Sequence, residues 1–346
     1  MKTLGLIVLS VLLVAAAGAA WVFTEERRLL DDPMNTGATS VHLVVESGST
    51  LREVAAHLHE REILASPLGL VWFARWQDLS SKIKAGEYQV AANSTPKELL
   101  KQLIAGKVVQ WSFTIIEGWT FKQLRTELAT HDKIVHTLQA HDDAAVMTVL
   151  GAADDHPEGW FYPDTYHFPS GTTDVEFLRR ALKAMHVWLD EEWKTRAENL
   201  PFQEPYHALV LASIIERETA AVAERGDIAG VFVRRLRKGM KLEADPTVIY
   251  GLGDEFDGNL TRKHLKTDTP YNTYTRRGLP PTPIALPSGD AVRAALNPVE
   301  GETLFFVARG DGSGRHYFSV TYPEHEKSVQ RYLKERKKML SGQTQG

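Results

Sequence analysis

PYHALVLASIIERETAAVAERGDIAGVFVRRLRKGM, residues 205–240, is the stretch on which the reading of this chain turns. From Tyr206 to about Val222 its length and 3.6-residue period predict one helix. Through Ile215 that helix is apolar nearly all round, the pattern of a helix enclosed on every side. Glu216, Arg217 and Glu218 are set into this wall. Charged side chains are seldom buried without a partner, so the three either reach solvent, line a cleft or pair off. Glu216 and Glu218 point about 200° apart on a helix. Glu218 falls on the line of Leu211, Ile215 and Val222, an aliphatic setting that favours the neutral acid. A glutamic acid protonated near neutral pH can donate its proton to a leaving oxygen. Glu216 lies nearer Leu209, Ala212 and Ala220. The pattern leaves it open as an acid, and equally as part of an ion pair with Arg217 and neighbouring helices.

The flanking stretches supply rings, amides and hydroxyls. Upstream, EGWFYPDTYHFPSGTT (158–173) crowds aromatics into a run interrupted by Pro163 and Pro169, which forbid a continuous helix. Flat rings such as Tyr166 suit the faces of sugars, although any single ring here serves equally well as a core plug. Thr173 and Glu176 then form a T-x-x-E start for an amphipathic helix from Asp174 to Trp193. Downstream, KLEADPTVIYGLG (241–253) puts Asp245, Thr247 and Tyr250 at the end of a strand or turn. TPYNTYTRRGLPPTPIALPSGDAVRAALNP (269–298) adds Tyr271, Asn272, Thr273 and Tyr274 before a rigid Gly-Leu-Pro-Pro turn. This mixture suits a carbohydrate cleft. The closing FFVARGDGSGRHYFSVTYPEHEKSVQRYL (305–333) predicts a β-hairpin and a basic helix.

Toward the N-terminus the pattern becomes short strands followed by capped helices. VVESGSTLREV and TIIEGWTFKQL repeat one order: strand, Glu, Gly, any residue, Thr, helix. In each the glycine permits a tight turn and the threonine satisfies free amides at the helix start. Thr95 with Glu98 opens a further helix after a second strand at Lys84–Val90. Residues 41–105 resemble a LysM-like βααβ module, a type that touches cell-wall glycans. Residues 131–157 carry Asp and His without periodicity and read as a loose connection. Residues 24–40 read as a polar linker. Before them Leu4–Phe23 holds 20 residues without a charge, about 30 Å as a helix, which matches the hydrocarbon core of a bilayer. Lys2 precedes the run and Trp21 sits near its far end. A cleaved leader is the rival reading, but its apolar stretch is usually only about 7–15 residues. Either reading places the bulk of the chain outside the cytoplasm.

Composition sets limits. The 346 residues are 43% hydrophobic and 24% charged, with a net charge of −4, so no basic surface for nucleic acid is expected. The absence of cysteine removes disulfides, thiolate metal sites and cysteine nucleophiles. No cofactor or metal motif is present; a metallopeptidase His-Glu-x-x-His is missing.

At this point EGWFYPDTY, LASIIERET, ADPTVIYG, PYNTY, GLPPTPIALP, AALNP and GRHYF, in that order and together with the N-terminal apolar run covering nearly the whole chain, resemble the YceG-like endolytic murein transglycosylases. The resemblance implies an α+β fold: a transmembrane anchor at 1–23, a linker at 24–40, a LysM-like subdomain at 41–110 and a catalytic domain at 111–340. It implies a lyase that cuts the β-1,4 bond between N-acetylmuramic acid and N-acetylglucosamine within nascent strands, leaves a 1,6-anhydro end and stops elongation. It places a single-pass protein in the cytoplasmic membrane with its catalytic part in the periplasm. It also implies peptidoglycan strands, and through the elongation machinery peptidoglycan synthases, as partners. The family's glutamate precedes a small hydroxyl residue, which here selects Glu218–Thr219 over Glu216. Arg217 stands where the family often has lysine. Asp245, Thr247, Tyr166, Tyr271, Asn272, Thr273 and Tyr274 are then the candidate substrate-binding groups. Two alternatives remain at this stage: a lysozyme-like hydrolase pairing Glu218 with Asp245, and a non-catalytic wall-binding protein.

Overall fold

The computed structural model describes Thr24, residues 28–37 and residues 39–343. The apolar run Leu4–Phe23 lies outside the described residues, and among these no helix is long and apolar enough to cross a membrane. The chain is mixed α+β and divides into two compact units. The first holds the described residues up to Trp111 together with His167–Gly171. The second holds Ser112–Tyr166 and the residues from Thr172 onward.

Unit 1 runs β1 (Val41–Val45), α1 (Leu51–Glu60), α2 (Pro67–Trp76), β2 (Gly86–Val90) and α3 (Pro96–Ala105). β1 and β2 pair antiparallel, Val41 opposite Val90 and Val45 opposite Gly86. Alternation along β1 turns Leu43 and Val45 inward, where they meet Leu51, Val54, Leu58, Leu70, Tyr88, Leu99 and Leu103. Each burial of such a side chain contributes about 1.5–3 kcal/mol. Thr50 with Glu53 and Thr95 with Glu98 both close complete capping boxes, as their spacing predicts. The stretch read as a linker does more than connect. Residues 28–31 are helical, and Leu30 and Met34 are buried in the unit's core.

Unit 2 takes up the chain within β3 (Gln110–Thr114), followed by α4 (Phe121–Leu128), β4 (Ile134–Val135), α5 (Asp143–Leu150), β5 (Thr165–Pro169, whose last three residues belong to unit 1), β6 (Thr172–Thr173), α6 (Asp174–Lys194), α7 (Pro205–Glu218), α8 (Arg225–Arg237), α9 (Asp245–Leu252), α10 (Arg262–Lys266), α11 (Gly289–Leu296), β7 (Phe305–Ala308), β8 (His316–Ser319) and α12 (Tyr322–Gln343). The helix α7 is its centre, packed by α6, α8, α9 and above all α11. Ala208–Ile215 are therefore all buried, which is why that stretch lacks a polar face. β7 and β8 form the expected hairpin, Phe305 opposite Ser319 and Ala308 opposite His316.

Three expectations are corrected. Residues 131–157 are not loose: Ile134–Val135 pairs in parallel with Thr172–Thr173, Asp142 caps α5, and Val146 and Met147 are fully buried. α7 stops at Glu218 and does not run on to Val222, because Thr219 is extended (φ −145°, ψ 135°). The segment at Asp245 is a helix start, with Asp245 in the first turn and Pro246 where its missing N–H costs nothing.

Candidate active site

The last turn of α7 sorts its three charges into three different environments. The Glu216 side chain is 6% exposed and that of Arg225 5%. Glu216 Oε1 takes a hydrogen bond from Arg225 Nη2 at 2.7 Å, and Oε2 accepts from the Ser288 backbone N–H at 2.9 Å and from its hydroxyl. Ser288 Oγ in turn accepts from Arg225 Nη1 (2.7 Å) and from Ala291 N–H at the start of α11 (3.2 Å). Glu216 is thus the ionic clamp that joins the end of α7 to the starts of α8 and α11. Arg217 is exposed and donates to Gly118 O at 3.1 Å.

Glu218 is different. It makes no hydrogen bond or ion pair among the described residues, and it lines an open cleft of about 760 Å³. Burial pushes its carboxyl up to about 8, with the charge of Asp245 adding to the shift and that of Arg235 opposing it. Its place as the final residue of α7 acts in the same direction, since the C-terminal end of a helix dipole disfavours negative charge. The aliphatic line inferred from sequence holds for Leu211 and Ile215. Val222 belongs to a short 3-10 turn, although it too lines the cleft.

The turn Ile115–Gly118 after β3, the Pro163–Thr165 entry to β5, and Glu216–Ala220 with Arg225 form the cleft walls. Ile115 N–H bonds Asp164 O (3.0 Å), and the hydroxyls of Thr114 and Thr165 meet at 2.9 Å, so two walls are stitched together. Gly118 adopts φ +78°, which only glycine takes without strain, and donates to Leu286 O at 2.8 Å. The GLPPTPIALP segment thereby backs the cleft. Ile284 N–H is received by the buried Ser213 hydroxyl on α7 at 2.9 Å.

Asp245 sits at the N-terminal end of α9, where a helix dipole favours negative charge. The two candidate carboxyls therefore occupy opposite ends of two helices. Asp245 Oδ1 accepts from the Tyr274 hydroxyl at 2.6 Å. Burial raises the Tyr274 phenol strongly, the Asp245 hydrogen bond and charge add to this, and Glu218 also contributes. Glu218, Asp245 and Tyr274 thus share one electrostatic environment. None of the remaining predicted binding groups lines the cleft. Thr247, Asn272 and Thr273 are buried. Thr247 and Thr273 share a hydroxyl contact of 2.9 Å, Thr273 Oγ1 receives Ala244 N–H, and Asn272 Nδ2 reaches the carbonyls of His264, Leu265 and Thr267. Tyr271 bonds Thr282 and sets its ring edge-on to Tyr250. The buried Tyr166 hydroxyl donates to Tyr162 O at 2.8 Å, and its ring packs on Phe177.

Two acids were not singled out by sequence. Glu117 lines the cleft, its side chain 55% exposed and 3.7 Å from Arg225 Nη2. Burial and then the nearby Glu216 raise its carboxyl, and Arg225 opposes. The only sequence signal for it was the repeated Glu-before-Gly of the turn. Glu158 is buried, accepts Phe121 N–H (2.9 Å) and the Tyr250 hydroxyl (3.1 Å), and is pushed up to about 7 by burial. Its position directly before a buried aromatic run was the available hint.

The family model described as "YceG-like family" matches residues 43–331. A Bacillus subtilis protein named endolytic murein transglycosylase is 28% identical over 328 residues, 90% of either chain. A Streptococcus pneumoniae protein of the same name is 27% identical over 362 aligned positions. That alignment covers 94% of this chain and 65% of the longer relative. The crystal structure of a putative yceG-like protein from Listeria monocytogenes superposes with a TM-score of 0.53 and 28% identity, over 83% of this chain and 98% of that one. The match takes in nearly every element described above, and the chain belongs to the YceG-like family.

Proposed function

We propose that this protein is an endolytic murein transglycosylase in which Glu218 is both the acid and the base. The observation that carries the reading is the contrast at the end of α7: Glu216 is spent in an ion pair, whereas Glu218 opens on the cleft without a partner and holds its proton to about pH 8. The names of the relatives support the substrate class.

The substrate is the β-1,4 bond between N-acetylmuramic acid and N-acetylglucosamine. Protonated Glu218 gives its proton to the bridging oxygen as the bond to the anomeric carbon breaks. The resulting carboxylate removes the proton of the C6 hydroxyl on the same muramic acid, and that oxygen bonds to the anomeric carbon. The products are a 1,6-anhydro end and a free 4-hydroxyl, and Glu218 is again protonated. No water needs activating, so a second catalytic carboxyl is not required, unlike the usual pair of a hydrolytic glycosidase. Leu4–Phe23 anchors the chain in the cytoplasmic membrane, unit 1 serves as the LysM-like glycan-binding part, and peptidoglycan synthases are the fitting neighbours. The charge of Asp245 acting on Glu218 favours a second reading, a muramidase.

Mass spectrometry of products from purified glycan strands tests both. Anhydro ends internal to long strands, lost in Glu218→Gln, are expected. Reducing ends would replace the lyase with the hydrolase, and a fully active Glu218→Gln would remove Glu218 from the chemistry.

A further inference from the structure

Helix α2, PLGLVWFARW, carries a single charge, Arg75. One face, Leu70 and Ala74, is fully buried in the core of unit 1. The opposite face repeats at i, i+4 and i+8 and is open to solvent: Leu68 is 78% exposed, Trp72 59% and Trp76 68%. The two indoles stack with centroids 6.3 Å apart and planes 13° from parallel. A folded chain seldom leaves two tryptophans and a leucine in one exposed row unless something covers them.

The chain itself indicates what that is. Gly69, beside Leu68, lies directly against Leu29: a Cβ there would sit 3.1 Å from Leu29 Cβ. The neighbouring Leu30 is buried in the same core. Leu29 is only six residues beyond Phe23, the end of the uncharged run. Six residues reach at most about 20 Å even when extended. If that run spans the bilayer, α2 is tethered within about 20 Å of the point where the run leaves the hydrocarbon. Indole rings settle at headgroup depth. Sugar binding fits less well, since each stacked ring spends one face on the other and Leu68 continues the row in aliphatic carbon.

We propose that the Leu68–Trp72–Trp76 row of α2 seats in the headgroup–acyl boundary of the membrane, as a second foothold beside the N-terminal run. This rests on reading that run as an anchor. The test uses the full chain in phosphatidylethanolamine–phosphatidylglycerol vesicles containing brominated lipid, which quenches only tryptophans at the membrane. Of the eight tryptophans, Trp21, Trp72 and Trp76 are the ones expected to be quenched. The double variant Trp72→Phe/Trp76→Phe keeps apolar rings but removes two of those fluorophores, so the quenched amplitude falls about threefold. An unchanged amplitude, with Trp21 still quenched, overturns the proposal while leaving the anchor intact. A chain that fails to float with the vesicles overturns both. Unchanged quenching with loss of binding to purified sacculi, or of self-association, in Trp72→Ser/Trp76→Ser assigns the row to glycan or to a second copy instead.

Discussion

Replacing Glu218 by glutamine has an expected signature that does not depend on having a substrate. In the folded chain burial holds this carboxyl near 8, against an ordinary 4.5. The sign follows from proton linkage: between those values the folded state keeps a proton that the unfolded state has lost, so stability falls as pH rises. The contribution is fully present below about 4.5 and exhausted above about 8. Each pH unit in that window costs the wild type about 1.4 kcal/mol relative to a neutral isostere, a ceiling of about 5 kcal/mol. Solvent in the open cleft relaxes part of it. Half, about 2 kcal/mol, still moves the melting temperature of a domain this size by roughly 4–8 °C. Thermal denaturation of both proteins at pH 5, 6, 7, 8 and 9 reads it out. The variant should gain on the wild type steadily up to about pH 8, and the gap should then level off. Parallel melting curves across the series would mean that Glu218 is solvated and ordinary, and the proposed proton source would go with them.

Two further outcomes follow from the same corner of the molecule. Asp245→Asn removes a negative charge that helps hold the proton on Glu218, so the alkaline limb of the pH–rate profile should move to lower pH; an unmoved limb would separate the two carboxyls. Glu216→Ala leaves the Arg225 guanidinium buried without its main partner, and chemical denaturation should record a loss of about 3–5 kcal/mol, the cost of breaking a buried pair from one side.

The parts of this fold that were legible in sequence are those decided locally. Thr50, Thr95, Thr120 and Thr173 each precede a Glu or Gln by three residues, and all four close capping boxes. Such a box needs only its own turn, so its spacing suffices. The all-apolar Ala208–Ile215 stretch likewise announced a central helix. The stop at Glu218 was not legible, because Thr219, Ala220 and Ala221 do not forbid a helix. The helix ends where Glu216 is held by Arg225 and Ser288, residues 9 and 72 positions away. The same distance hid the division of labour between Glu216 and Glu218, which pattern alone left open. Asp245–Pro246 was a readable helix start that the strand-like run after it obscured. α5 is hard to read in sequence because the Asp and His residues around it hide the apolar face of Val146, Met147 and Leu150, although Asp142 is a good cap.

The clamp on Glu216 also bears on how the proposed catalytic corner would work. One serine hydroxyl both caps the start of α11 and braces Glu216 near the end of α7, so the backbone two residues before Glu218 is tied to a second helix. If Glu218 is the acid of the proposed reaction, the burden of alignment would pass to the polymer, which would kink to bring a linking oxygen to that proton. A chain too short to be gripped on both sides of the kink would then be a poor substrate, and selection for the interior of a glycan would arise from stiffness and not from any contact with its ends.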